Sequence, residues 1–213
     1  MSTSSTPPSM PPAPPANAPQ GFFPSTEERM PLPARDAMSP AQREAADAII
    51  AGPRKAVFGP FIPLLRSPQL MGRIGDVGAY LRFESPLDAR IRELATCVAA
   101  RHTANQFEWV MHAPLAVAAG VAQSTVDAIA EGRQPRGMAD DEAVALDLAF
   151  EVLRQHGCSD ATYAAAVKTF GEQGVVELVS LVGYFVMVCW VMNVARTPAL
   201  AKPGVAPLSA FPA

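Results

Sequence analysis

The sequence predicts an all-α fold of about eight helices behind a proline-rich N-terminal tail. Three observations predict it. Helix-start signals recur at Ser39-Pro40, Ser67-Pro68, Ser85-Pro86 and Ser159, each a hydroxyl that can accept a hydrogen bond from a first-turn N–H. Helix-stop signals answer them at Gly52-Pro53, Gly120, Gly132 and Gly171. Strand-like alternation is missing: the nearest candidate, residues 56–65, is interrupted by Gly59, Pro60 and Pro63, which argues for an ordered apolar loop.

In chain order, residues 1–20 hold seven prolines among small polar residues, too little apolar surface to offset ordering entropy. Residues 1–24 are therefore expected to be a disordered tail, residues 25–200 a single helical domain, and residues 201–213 a C-terminal tail. The first helix runs from Pro40 to Gly52, the second from Pro68 to about Phe83. Ser85-Pro86-Leu-Asp88 opens the third, with Asp88 at the third helical position, where a carboxylate suits the positive helix end. Thr103-Ala-Asn-Gln106 reads as a capping box that ends this helix near His102 and starts a fourth at Ala104. A short helix reaches Gly132, Asp140 caps one ending near Gln155, and Ser159 caps one ending at Gly171. The last runs from about Glu172 to Ala195.

That last helix carries no charged residue from Leu178 to Ala195, close to the length of a membrane span. Glu177 near its start, Ser180 and Asn193 within it and the lack of basic anchors point instead to a helix buried in a core or oligomer interface. The chain is 49% hydrophobic and 17% charged with net charge −3. This apolar balance implies much buried surface or self-association. The 17 basic residues are scattered, which excludes the concentrated positive footprint of a nucleic-acid binder. Cys97, Cys158 and Cys189 lack paired spacing, so all three are expected to be reduced and buried, and the N-terminus lacks signal-peptide features. The expected location is the cytoplasm.

The chemistry concentrates between Arg90 and His112. Glu108 and His112 are four apart on one helix and so are side-by-side neighbours. Among Phe107, Trp109, Val110 and Met111 they cannot both reach solvent, which favours an acid–base unit over a surface ion pair. Glu93, on the preceding helix, either faces that pair or forms a salt bridge to Arg90, Arg92 or Arg101; sequence leaves both open. Two carboxylates and one histidine are a weak set for zinc or iron, so no metal and no cofactor is expected. His102 and His156 sit at helix C-termini, where an imidazolium suits the dipole.

Several runs together resemble a known family: Arg92-Glu-Leu-Ala95, Gln106-Phe-Glu-Trp-Val-Met-His112, Ala128-Ile-Ala-Glu-Gly132, the flank from Gly59 to Pro68, and Phe170-Gly-Glu172 with Val182-Gly-Tyr184. They are similar to the carboxymuconolactone decarboxylase family over roughly residues 30 to 200. The resemblance implies the helical, oligomeric alkylhydroperoxidase D-like (AhpD-like) fold. The family's peroxidase branch carries a Glu, a Cys-x-x-Cys pair and a His; here Glu93 and His112 are retained, and Asn105 and Glu108 stand where the sulfurs would be. A dithiol peroxidase needs a thiolate and a resolving thiol, so the resemblance points to the branch without cysteines.

By that resemblance the chain is expected to be a cofactor-free lyase or isomerase acting on a small unsaturated or lactone carboxylic acid. His112 would move the proton, Glu108 orient it and Glu93 relay it. Asn105, Arg101 as the cationic anchor, and Phe61 and Tyr80 as apolar walls complete the expected site. A homo-oligomer (dimer, trimer or hexamer) is expected. The other readings are a peroxidase with another reductant and a non-catalytic oligomeric binding protein.

Overall fold

The helix signals translate almost one for one in a computed structural model of the chain, which describes residues 17–18, 27–200 and 202–209. Ser39 caps α1 (Pro40–Ala51): its hydroxyl accepts from the Gln42 N–H while the Gln42 side chain accepts from the Ser39 N–H. The apolar loop contains one helical turn, α2 (Phe61–Leu64), before α3 (Pro68–Ala79). A π-helical turn, Tyr80–Glu84, widens the end of α3. Such single π-turns recur at functional sites because they re-aim side chains.

Four helices form the centre: α4 (Ala89–His102), α5 (Gln106–Ala118), α7 (Asp140–Gln155) and α8 (Asp160–Ala195), with α6 (Gln123–Ala130) closing one end. Leu94, Ala99, Leu146, Leu178 and Met192 are sealed from solvent at their junction. Each of the larger ones contributes about 1.5–3 kcal/mol by burial. Gly171 (φ 69°, ψ 170°) breaks the helical dihedrals inside α8 at the expected boundary, and the helix restarts along the same element. The α8 segment is long and apolar enough to cross a membrane, yet 61% of its most apolar window is buried inside the protein. That is the burial of a core helix.

Three capping expectations and one on burial are corrected. Asp88 is the N-cap of α4, accepting from the Arg90 N–H, rather than its third residue. Ala139, not Asp140, occupies the N-cap of α7, and Glu142 satisfies the Ala139 N–H. Thr103 turns its hydroxyl back onto the Ala99 carbonyl, and Asn105 caps α5 by accepting from the Glu108 N–H at 2.9 Å. An asparagine can cap and donate at once: its Nδ2 reaches the Cys189 carbonyl and the Asn193 side chain of α8. Cys97 and Cys189 are buried, but Cys158 is exposed, because it follows Gly157 in the turn between α7 and α8.

The expected tail over residues 1–24 lies, apart from 17–18, outside the described residues. Asn17–Ala18 (β1) pairs antiparallel with Ala199–Leu200 (β2). The segment after β2 is strapped to α4 and α5. The Gln106 side chain exchanges two hydrogen bonds with Leu208, Trp109 donates to the Ala206 carbonyl and Arg101 to the Ser209 carbonyl.

Candidate active site

The turn between α4 and α5 builds the site. Residues 103–105 reverse the chain within three residues, with Ala104 in the left-handed region (φ 49°), and the two helices pack side by side. Glu93 on α4 thereby meets His112 on α5. The Glu93 Oε2 lies 2.5 Å from His112 Nδ1, and the Glu108 Oε2 lies 3.2 Å from His112 Nε2. The imidazole is thus held edge-on between two carboxylates, with its other face against the Phe185 ring in a T-shaped contact at 5.0 Å.

His112 is 3% and Glu108 4% exposed, so neither charge is solvated. Burial by itself pushes the imidazole pKa down, but the hydrogen bonds and charges of Glu108 and Glu93 outweigh it. The net direction is upward, favouring the imidazolium. The arginines near Glu93 are engaged elsewhere. Arg92 donates to the Ser85 and Leu87 carbonyls, and Arg90 pairs with Asp141 and Glu142 on α7. Of the two placements sequence left open for Glu93, the structure takes the one facing His112.

Glu108 and His112 line a cavity of about 70 Å³ together with Arg54, Phe58, Phe61, Arg82, Met111, Tyr184 and Phe185. Glu93 lies behind the imidazole, outside this lining, and its side chain is 19% exposed. Phe61 is therefore a wall of the cavity and carries the Arg54 guanidinium over its ring at 4.6 Å. Tyr80 is not: its hydroxyl donates to Glu177 at 2.7 Å, because the π-turn points it into a separate groove beside α8. Arg101 lines another hollow with His102 and Arg154, so it does not serve as the cation of this cavity. Asn105 is fully buried in its capping and α8 contacts and does not reach the cavity wall.

Three polar residues of the cavity escaped the sequence reading: Arg54, Arg82 and Tyr184. Arg54 follows the α1 stop in a loop, Arg82 sits on the π-turn, and Tyr184 is one phenol in an otherwise apolar helix. A signal existed only for Tyr184, since a hydroxyl inside a charge-free helix needs a partner. Its partner is Arg54, and burial followed by the charge of Glu108 pushes the phenol pKa up. Gly78 makes room for this pair: a Cβ there would lie 2.1 Å from the Tyr184 hydroxyl oxygen. Gly59 (φ 55°) does the same for the Phe107 ring.

Neither buried thiol is activated. Burial pushes Cys97 and Cys189 well above the usual thiol range, with a further rise from Glu93 and Glu108 respectively. The two carboxylates approach opposite nitrogens of one ring and so do not converge on a point where an ion could bind both. Among the described residues no group of three His, Cys, Asp or Glu side chains is placed to hold a metal ion.

Comparison with known proteins agrees with the architecture. The model of the carboxymuconolactone decarboxylase family matches residues 68–151. This segment spans α3 to most of α7 and holds Glu93, Glu108 and His112. No curated protein matches the sequence. Several solved structures share the fold, among them the following three. One is a peroxidase-related protein of the alkylhydroperoxidase AhpD core from Ralstonia eutropha JMP134. It is 16% identical, covers 80% of this chain and 90% of that one, and gives a TM-score of 0.65. A protein of unknown function from Agrobacterium tumefaciens, suggested to be an AhpD antioxidant defence protein, is 13% identical over 65% of this chain and 96% of its own, with TM-score 0.56. The third is the debrominase Bmp8, as a cysteine-to-alanine variant in complex with 2,3,4-tribromopyrrole. It is 12% identical over 84% and 92% of the two chains, with TM-score 0.61. Residues 68–151 are thus similar to the carboxymuconolactone decarboxylase family, and the chain has the AhpD-like helical fold.

Proposed function

On that basis we propose that the chain is a cofactor-free enzyme that moves a proton to or from carbon in a small unsaturated or lactone carboxylic acid, as a decarboxylating lyase or an isomerase. The observation that carries the reading is the imidazole clamped between Glu93 and Glu108 at the wall of a small cavity. Glu93 holds the Nδ1–H, which fixes the tautomer and leaves Nε2 as the nitrogen facing the cavity. Cleavage of a carbon–carboxylate bond releases carbon dioxide and leaves an electron pair on carbon, delocalised into the unsaturated system. His112 Nε2–H then protonates that carbon, and the pair becomes the new C–H bond. In an isomerisation Glu108 takes the proton from one carbon and His112 returns one to another. Partly exposed Glu93 reloads the imidazole from solvent. Glu93 keeps the relay role expected of it and also takes over the orienting role expected of Glu108, because Glu108 shares the cavity and Glu93 lies behind the ring.

The test is deuterium incorporation from D₂O into a panel of unsaturated and lactone acids, read by NMR. Wild type is expected to label the carbon next to the unsaturated system, and His112→Ala, folded by circular dichroism, to lose that labelling. Equal labelling by both removes His112 from the mechanism. No labelling of any acid by wild type favours the non-catalytic binding protein.

The AhpD-like peroxidase is the second reading, favoured by the fold. Hydroperoxide consumption that vanishes when Cys97, Cys158 and Cys189 are all replaced by serine would establish it in place of proton transfer. Self-association belongs to either reading. It is supported by Val176, Trp190 and Val194, which are 65%, 60% and 58% exposed on α8.

A further inference from the structure

We propose that Arg54 and Arg82 form a carboxylate-binding subsite in the His112 cavity, so that the ligand enters as a planar monoanion with its acid group on the two guanidinium forks. This rests on the reading of the cavity as a substrate site, and it assigns the anchor that the sequence placed at Arg101.

Three observations carry it. First, Arg54 and Arg82 line one small cavity and the charge of Arg82 acts on Arg54. Like charges gathered in a partly desolvated space are costly unless a counter-ion completes them. Second, the Arg82 Nε–H is buried without a hydrogen-bond partner. A buried donor left unsatisfied carries a free-energy penalty that an acceptor in the cavity would remove. Third, the local charges do not balance. Arg54, Arg82 and the imidazolium of His112 supply three positive charges, whereas Glu93 and Glu108 supply two negative ones. The carboxylate of Asp76 also acts on Arg54 but is exposed and solvent-screened. One monovalent anion closes the count.

The chemistry of that anion follows from shape. Guanidinium is a flat two-pronged donor that matches a carboxylate edge to edge. Arg54 is held flat by its stacking on Phe61 and its bond to the Gly75 carbonyl at 3.2 Å, and Arg82 lies 5.0 Å over the Phe83 ring. A space of about 70 Å³ holds a small acid of a few heavy atoms. The conjugated remainder would then lie against Phe58, Met111 and Phe185. Its carbons would sit beside Nε2 of His112.

The test compares crotonate, a small unsaturated carboxylate, with crotonamide, its neutral isostere, by calorimetric titration of the full chain. Crotonate is expected to bind at least about tenfold more tightly than crotonamide. Arg82→Gln and Arg54→Gln are expected to weaken crotonate about ten- to a hundredfold while leaving crotonamide unchanged. Arg82→Lys, which keeps the charge and loses the fork, is expected to fall between. Equal binding of the two ligands, no crotonate binding up to about 50 mM, or an Arg82→Gln variant within about twofold of wild type, overturns the subsite. Should Arg54→Gln not fold, the two-ligand contrast on wild type and the Arg82 variants decide alone. The outcomes separate from those for proton transfer. Arginine-dependent crotonate binding without deuterium labelling refutes catalysis and keeps the subsite; labelling with arginine-independent binding does the reverse.

Discussion

Replacing Glu93 by glutamine tests the clamp on His112 most directly. The amide oxygen can still accept from Nδ1–H, so the variant removes a charge and keeps the shape. In the folded protein the Glu93 carboxylate lies 2.5 Å from an imidazole that is 3% exposed. A hydrogen bond to a charged group contributes about 1.5–3 kcal/mol against about 0.5–1.5 for a neutral one, so the expected loss of stability is about 1–2 kcal/mol. The loss has a pH signature. The folded pKa of His112 is raised above the ordinary value near 6.5. Its proton-linked stabilisation is therefore fully present below about 6.5 and is lost as pH rises through the raised folded value. The gap between wild type and Glu93→Gln should be widest near pH 5.5 and narrow through the alkaline range. Urea unfolding at a series of pH values, with the His112 ring titrated by NMR in both proteins, measures it. A gap that stays constant or widens with pH would refute an imidazolium held by Glu93, as would an unchanged His112 titration.

Asn105→Ala removes the α5 cap and both links to α8, and should lower stability by about 2–4 kcal/mol in chemical denaturation; a loss below 0.5 kcal/mol would show those bonds to be dispensable. Gly78→Ala puts a Cβ 2.1 Å from the Tyr184 hydroxyl. It is expected to cost about 1–3 kcal/mol and to displace Tyr184 from Arg54, read by thermal melting and by the tyrosine ultraviolet titration. Trp190→Glu places a charge on the exposed apolar face of α8, so light scattering should show a smaller assembly than wild type; an unchanged mass would exclude that face from self-association.

The sequence by itself determined the helices and the core helix, because caps, stops and apolar runs are local properties. Ser39, Ser159, Gly120 and Gly171 act through bonds and dihedrals within a few residues of themselves, and each sits where its chemistry predicts. Glu108 and His112 were legible for the same reason, since their spacing is set by one helix. Where two local solutions competed, packing chose: Asn105 took the α5 cap from Thr103 because only an amide could cap and also reach α8.

What only the tertiary structure decided are the contacts between elements far apart in the chain. Glu93 could have met an arginine of its own helix; the three-residue turn at residues 103–105 aimed it at His112 instead. The cationic wall comes from a loop after α1, a π-turn after α3 and the middle of α8. No periodicity links Arg54, Arg82 and Tyr184, so only the packing of these elements brings them together.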